Sequence, residues 1–476
     1  MSPDRQVYLL DPQTLKPEVI AVAFAKTSRS PESFREIAAQ LTDEKSAEFH
    51  EKWVVGYGHS SVAEHAVLHV AVENLSRLAV ECLESNRLAS YTEKSTRYQK
   101  WGADDFFMPP ELENHQLLPL YQETVRQLFG AYHRALPAVR GVISGQNPRR
   151  EGESEAAHER RIRSEYVDVC RFLLPAASLA NVGMTINARA LEHALCKMLS
   201  HPLAEVRQLG QEIKQVAQLE VPTLVKYANA VPYLQQVQAV FQQESRTNTG
   251  FTQATEQTPW CRLVHTEPAG EQRALAAALF RYSGMDFAQA EAHIHSLAAG
   301  ERQRLAQVLL GAVGKHDIPL RELEHTVFTF EVTLDQGAYA ELKRHRMMTQ
   351  TPQDLSGRLG YAVPRAISLA GFEADYRQAI DRACQVYEQI AAEFPAVASY
   401  VIPNACNRRV LLTFNLRAGD HFVALRSAEN AHFSIRRIAQ RMAEQLREAA
   451  PYLGAYLHVN PAETWQEIQE RYFSQV

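Results

Sequence analysis

Two segments of this 476-residue chain recur in the same order, and that repeat limits the folds open to it more than any other feature. Residues 64–72 read EHAVLHVAV and residues 324–332 read EHTVFTFEV, each a Glu-His followed by a β-branched and aromatic run with strand character. An arginine-bearing segment follows in each copy: ESNRLASYTEKSTRY from Glu84, and KRHRMMTQTPQ from Lys343. Further on, residues 172–193 read FLLPAASLANVGMTINARALEH and residues 400–421 read YVIPNACNRRVLLTFNLRAGDH. Pro175 to Asn187 spans 12 positions, as does Pro403 to Asn415. In both copies an arginine follows the Asn by two (Arg189, Arg417) and a histidine by six (His193, His421). Matches in this order, with this internal spacing, describe two copies of one domain joined head to tail.

The separation between the copies shrinks along the repeat: Glu64 to Glu324 is 260 positions, and Asn187 to Asn415 is 228. The first copy therefore carries an insertion in its middle. The polar stretch SGQNPRREGESEAAHERR, from Ser144, is where it is expected, at residues 144–164, as an exposed loop or a solvated helix start. The polar run from Ser245 to Pro259 reads as a linker, which gives a first domain at 1–244, the linker at 245–259 and a second domain at 260–476. Between the matched segments, apolar residues at three- and four-residue spacing predict helices over PESFREIAAQLTDEKSAEFHEKW, LYQETVRQLFGAYHRAL, AEVRQLGQEIKQVAQ, DYRQAIDRACQVYEQIAAEF and FSIRRIAQRMAEQLREA. The expected class is α/β, two tandem copies of a domain in which a few strands are covered by long helices.

Hydrophobic content of 46% lets each half bury a core, and a net charge of -5 gives no reason to expect a nucleic-acid partner. Aromatic residues are not interleaved with a basic run. The six cysteines include no CxxC pair, so neither a disulfide framework nor a zinc site is expected, and the reading is a reducing compartment with no bound metal. The opening MSPDRQVYLLDPQTLKPE lacks the apolar core of a signal peptide. No stretch approaches the roughly 18 apolar residues that span a bilayer. The expected setting is the cytoplasm, with no membrane partner.

The arginine-bearing segments resemble the flavin-dependent thymidylate synthase family, whose pattern is RHRxxSxNExSxRY. The first copy gives SNRLASYTEKSTRY, matching at Arg87, Ser90, Glu93, Ser95, Arg97 and Tyr98 and departing at Ser85, Asn86 and Thr92. The second keeps Arg344, His345 and Arg346, then departs at Thr349 and Pro352; Ser356 and Arg358 restore its Ser-x-Arg only with an insertion. The family carries an arginine eleven positions after the Asn, which is Arg426 in the second copy and Met198 in the first. A further family arginine, four positions before the Pro, is Arg171 in the first copy and Ser399 in the second. Upstream, Ser61, Glu64 and His65 match the flavin-contact region in the first copy, and Glu324 and His325 match it in the second.

The resemblance implies a small, mainly antiparallel sheet with long helices, and reductive methylation of dUMP to dTMP. FAD is the implied cofactor, with methylenetetrahydrofolate and NADPH as co-substrates. Arg426 is the implied catalytic residue: a guanidinium stays cationic at working pH and would stabilise negative charge on the uracil edge as C5 becomes nucleophilic. The implied dUMP contacts are Ser90, Glu93, Ser95, Arg97, Arg171 and Arg426; Ser95 and Arg97, two apart, face the same side of an extended segment. The implied FAD contacts are Ser61, Glu64, Arg87, Asn187, Arg189 and His193 in the first copy, with Arg344, His345, Arg346, Asn415, Arg417 and His421 in the second. These are donors and cations suited to a ring that gains charge on reduction. The family builds sites between four subunits, so a homodimer forming a pseudo-tetramer is implied. One composite site would pair the first copy's Ser-x-Arg side with the second copy's Asn-x-Arg side. The plainer readings are that Asn187 and Asn415 are helix caps beside ion-paired arginines, that Arg344-His345-Arg346 is a solvated helix end and that Met198 is core. The alternative function is a catalytically inactive or re-purposed paralogue that binds a nucleotide or flavin, or only assembles.

Overall fold

The computed structural model describes residues 6–247 and 259–476, apart from positions 7, 13, 29, 58, 98, 100 and 315 and the side chains of 55, 246 and 247. Tyr98 and most of the expected linker lie outside the described residues. The chain divides into two compact units that cut across its sequence halves. One comprises Met1–Ser95, Phe106–His115 and Leu179–Thr252; the other comprises Thr96–Asp105, Gln116–Ser178 and Gln253–Val476. The middle of the first copy therefore belongs to the same unit as the whole second copy.

In the first unit, β1 (Val67–Ser76), β2 (Ala89–Glu93) and β3 (Leu179–Asn187) form an antiparallel sheet in the order β1-β3-β2. In the second unit, β4 (Cys261–Thr266), β5 (Phe328–Asp335), β6 (Thr349–Pro352) and β8 (Asn407–Phe414) form a second antiparallel sheet in the order β4-β5-β8-β6. The short β7 (Val363–Pro364) and β9 (Phe473–Gln475) pair with each other. Residues along β1 alternate between exposed and buried until its last turn, as expected for a sheet with one face on a core. In the second unit, β5 and β8 put their own alternate large side chains into that unit's core, with Phe330 and Phe414 stacked at 5.6 Å between ring centroids.

Strand register confirms the duplication residue by residue. Leu68 faces Ile186 and Ser90 faces Thr185 in one sheet; Phe328 faces Phe414 and Thr349 faces Thr413 in the other. The polar pair His69–Thr185, 2.9 Å, recurs as Thr329–Thr413, 3.0 Å. In both copies two strands run into helices through an N-cap side chain that accepts an orphan N–H. Ser76 caps Arg77–Glu84 and Asp335 caps Gln336–Leu342. Asn187 caps Ala188–Leu199 and Asn415 caps Leu416–Arg426, both at 2.9 Å. One buried bond has exchanged its ends between copies. Ser76 Oγ donates to Glu205 in the first, whereas Ser434 Oγ donates to Asp335 in the second. The hydroxyl and the carboxylate have traded elements while the bond survived.

The predicted helices form as Leu118–Gln146, Ala204–Ala217, Glu373–Ala391 and Phe433–Ala449. The segment near residue 40 is broken, because the Thr42 side chain accepts from the Lys45 N–H and starts a new helix, Asp43–Phe49, after Phe34–Ala39. The polar stretch expected as a loop is mostly helical. Leu118–Gln146 runs through its beginning, Ser154 caps Glu155–Cys170, and Arg161 grips Glu153 across the turn at 2.9 Å. The solvated-helix reading is the one realised, since a cap and an ion pair supply what the turn needs.

Within the second unit, the two proline segments of the repeat meet each other. Pro175 and Pro403 form an antiparallel bridge. Ala176 N–H donates to Ile402 O at 2.9 Å, and Asn404 N–H donates to Leu174 O at 3.0 Å. Ala177 N–H donates to Tyr400 O and Ala405 N–H to Phe172 O, each at 2.9 Å. Every donor and acceptor in this set is matched by its equivalent 228 positions away, so the contact has a local two-fold axis, as an isologous dimer interface does. Ala177 and Ala405 are fully buried, so these bonds have no water to replace them. Ala405→Pro removes one donor and leaves the Phe172 carbonyl unmet, which is expected to lower stability by about 1–3 kcal/mol. Ala177→Pro, its symmetry mate, is expected to cost the same; urea denaturation of both variants checks the equality.

Candidate functional site

Four elements of the second unit bring charged side chains to one place. Arg426 ends the helix Leu416–Arg426, where a cation complements the helix dipole. Glu341 lies in the last turn of Gln336–Leu342, with His345 just beyond it. Asp168 and Arg171 lie at the end of Glu155–Cys170, and Arg97 comes from the segment starting at Thr96. Together they form a ladder. Arg97 grips Asp168 with both arms of its fork at 2.7 Å. Arg171 Nε contacts Asp168 at 3.3 Å, and Arg171 Nη2 donates to Glu341 at 3.3 Å. Arg426 Nη1 donates to the same Glu341 carboxylate at 2.9 Å, Arg426 Nη2 to the Glu341 carbonyl at 3.2 Å, and Arg426 Nε to His345 Nε2 at 2.9 Å. His432 Nε2 donates to the Asp168 carbonyl at 3.2 Å, while its Nδ1 accepts from Ser434 N–H.

Burial would push both carboxyls of the ladder up. For Asp168 this is reversed by Arg171, His432 and Arg97, and for Glu341 by Arg171, His432, Arg426 and Arg97, so each sits below its ordinary value. The two histidines go the other way from a cation. Burial, then Arg426 and His421, lower His345 to about 3; burial, then Arg171, lower His432 to about 4. An imidazole that accepts from a guanidinium has a bare nitrogen there, so His345 Nε2 carries no proton. With both rings neutral, the guanidiniums of Arg97, Arg171 and Arg426 share the carboxylates of Asp168 and Glu341. The side chain of Arg97 is 25% exposed, the most open of the five. Three guanidinium forks thus lie together, a donor set whose chemistry suits an anion.

The remaining candidates lie elsewhere. Asn415 and Arg417 sit at the start of the helix that Arg426 ends, which puts Arg417 roughly 14 Å from Arg426 along the axis. Arg417 donates to Glu324 at 2.8 Å and to Pro319 O, and Asn415 is the cap. Arg189 pairs with Glu64 in the same way and Asn187 caps its helix, so each Glu-His motif meets its Asn-x-Arg motif in both copies. Ser61, Arg87, Ser90, Ser95 and His193 are exposed in the first unit, while the Glu93 side chain is buried against Arg77 at 2.7 Å. In the second unit Arg344 and His421 are exposed, Arg346 is half-buried, and the His421 ring lies 5.8 Å from that of His345. Arg358 is engaged on the surface with Glu388 at 2.8 Å, and Met198 is core. The structure thus joins Arg97, Arg171, Arg426 and His345, and separates Arg426 from Asn415 and Arg417.

Sequence reasoning missed Asp168, Glu341 and His432. The available signal was spacing: Asp168 precedes Arg171 by three, and Glu341 precedes Arg344 by three, each one helical turn from a candidate arginine. By strand register, the first-repeat counterparts of Glu341, His345 and Arg426 are Cys82, Asn86 and Met198, none of them charged. The second-repeat counterparts of Asp168 and Arg171 are Ala396 and Ser399. Among the described residues no group of acidic, histidine and cysteine side chains is arranged to hold a metal, and no helix is long and apolar enough to cross a membrane.

The two neutral histidines make stability depend on pH. The unfolded chain takes up protons at both as pH falls through 6.5, while the folded chain resists until about 4 and about 3. Stability is therefore expected to fall between pH 6.5 and 4, with the two carboxylates adding to the loss at lower pH. His345→Gln, which keeps an acceptor for Arg426, is expected to flatten that decline in a plot of Tm against pH.

Comparison with known proteins places these features in a family. The model described as thymidylate synthase complementing protein matches residues 9–223 and again 262–452. A UPF0159 protein of Chlamydia muridarum is 31% identical over 433 residues, spanning 88% of this chain and 82% of its own. A UPF0159 protein of Thermoplasma acidophilum is 26% identical over 450 residues, spanning 87% and 88%. A flavin-dependent thymidylate synthase of Clostridium tetani is 28% identical over 221 residues, which is 45% of this chain and 83% of that protein. A crystal structure of the Helicobacter pylori flavin-dependent thymidylate synthase ThyX, complexed with FAD and dUMP, aligns with 42% of this chain and 100% of its own at a TM-score of 0.32 and 16% identity. With the family model matched once over each repeat, the chain belongs to the thymidylate synthase complementing protein family, the flavin-dependent thymidylate synthases, as a divergent tandem duplication.

Proposed function

We propose that this chain is an FAD-dependent thymidylate synthase that methylates dUMP to dTMP with methylenetetrahydrofolate and NADPH. The observation that carries the reading is the ladder in which Arg97, Arg171 and Arg426 are held together by two carboxylates. Arg97 and Arg171 would take the nucleotide phosphate, for which guanidinium forks are the matching donors. Arg426 would lie against the uracil edge and stabilise the charge that makes C5 nucleophilic, with Glu341 and neutral His345 fixing its orientation.

The donor chemistry at the repeated motifs fits a flavin dinucleotide: guanidiniums beside two capped helix N-termini suit an anionic cofactor rich in acceptors. Arg344, His345, Arg346, Asn415, Arg417 and His421 would hold it in the second unit, and Ser61, Glu64, Arg87, Asn187, Arg189 and His193 are the corresponding groups in the first. Reduced FAD supplies the hydride for this chemistry. The same reading takes the chain as a cytoplasmic homodimer forming a pseudo-tetramer, with domains at 1–244 and 260–476.

A second reading, an inactive or re-purposed paralogue that binds a nucleotide or flavin, or only assembles, is favoured by the neutral Cys82 and Met198 where the other repeat has Glu341 and Arg426. Rescue of a thymidine-requiring host separates the two. The synthase reading expects rescue by this chain and none by Arg426→Ala, while Arg358→Ala rescues fully. Absence of rescue by a well-expressed chain that binds dUMP supports the paralogue. Calorimetric titration is expected to find one dUMP per chain, and two equivalent sites would remove the composite ladder from the account.

A further inference from the structure

Two of the six cysteines, 22 positions apart in sequence, come together in the second unit with their sulfur atoms 3.9 Å apart. Cys384 is half-buried on Glu373–Ala391, and Cys406 is fully buried one residue before β8. Both are free thiols, and neither the fold nor the functional reading uses them. Their backbones are fixed. Cys406 N–H donates to Pro403 O at 3.0 Å, and its carbonyl accepts from Gln336 N–H at 3.0 Å. The Cys384 sulfur is pressed on the Gly357 backbone, where an added Cβ would stand only 2.7 Å from it. A disulfide bond is about 2.05 Å, so side-chain rotation has to close roughly 1.9 Å.

We propose that Cys384 and Cys406 are a reversible oxidation site, closed to an intramolecular disulfide by a peroxide. The Cys384 thiolate attacks one peroxide oxygen, the O–O bond breaks, and the other oxygen leaves as water after taking a proton, giving a sulfenic acid on Cys384. The Cys406 sulfur then attacks the Cys384 sulfur, the S–O bond breaks, and its oxygen leaves as a second water. Two thiols lose two electrons, and hydrogen peroxide gains them. The assignment of roles follows from the contact. Hydrogen bonding from Cys406 holds the Cys384 thiol below its ordinary value, whereas that same bond, together with burial, pushes Cys406 well up. Cys384 is also the more exposed of the two, so it meets the oxidant first. The bond would tie the long helix to the segment whose Asn404 side chain donates to the Arg171 carbonyl at 3.0 Å, one of the ladder's supports. The proposal stands independently of the reaction assigned to the chain.

The test treats the full chain with hydrogen peroxide, quenches it in acid, denatures it with N-ethylmaleimide and maps the peptides by mass spectrometry. The expected result is a crosslinked pair of peptides containing Cys384 and Cys406, two hydrogens lighter than the thiol forms. Dithiothreitol is expected to abolish the crosslink and return both thiols. Cys384→Ser is expected to leave Cys406 alkylated as a thiol at the same peroxide dose, with circular dichroism reporting that the variant is folded. Recovery of both residues as alkylated thiols, or of Cys384 as sulfinic acid with no crosslink, would overturn the proposal. So would crosslinking of either residue to another chain.

Discussion

The backbone exchange between the segments around Pro175 and Pro403 is the constraint on which the second unit depends. Buried N–H and C=O groups must be paired, and here each repeat supplies the partners that the other lacks. Because the four bonds are reciprocal, neither segment can shift without breaking bonds at both ends. The exchange also anchors the chain on either side of each proline. Asp168 and Arg171 lie just before the first proline segment, and the second leads into β8 and then the helix that ends in Arg426. Residues far apart in the chain are thereby delivered to one ladder.

Burying five charged groups together is unfavourable unless each is compensated, and the ladder meets that condition by alternation. Asp168 lies between Arg97 and Arg171, and Glu341 lies between Arg171 and Arg426. Arg426, which burial disfavours as a cation, is further supported by a histidine that accepts instead of repelling. The alternation fixes three guanidiniums in place through their mutual partners, which suits a site that must hold its shape before an anion arrives. The equivalent positions in the other repeat hold the neutral residues Cys82, Asn86, Met198, Ala396 and Ser399, which cannot form a second ladder of this kind.

Much of the fold was legible because its signals are local. Strand alternation, three- and four-residue apolar spacing, and Asn at both helix starts act within a few residues, and they placed the helices and the strands of the repeat. The exchanged Ser76–Glu205 and Asp335–Ser434 bonds were not legible, since a pair that swaps its residue types leaves no matching letters in an alignment of the halves. The helical insertion was half legible: its polarity suggested a loop, and the Ser154 cap decided for a helix. At the site, Arg97, Arg171 and Arg426 were reached through the family pattern. Asp168 and Glu341 escaped because a carboxylate that only supports an arginine belongs to no motif. Asn415 and Arg426, eleven positions apart, stand at opposite ends of one helix, a separation that follows from helix geometry and not from the pattern of letters.

The account rests on Arg97 and Arg426, one from each repeat, acting on the same bound nucleotide. A double-mutant cycle on dUMP affinity, with Arg97→Ala, Arg426→Ala and both together, measures that directly. Residues of one network that share a ligand are expected to couple by about 0.5–3 kcal/mol. Additive losses, within roughly 0.3–0.5 kcal/mol, would mean that the two arginines serve separate places and that the ladder is a structural feature only.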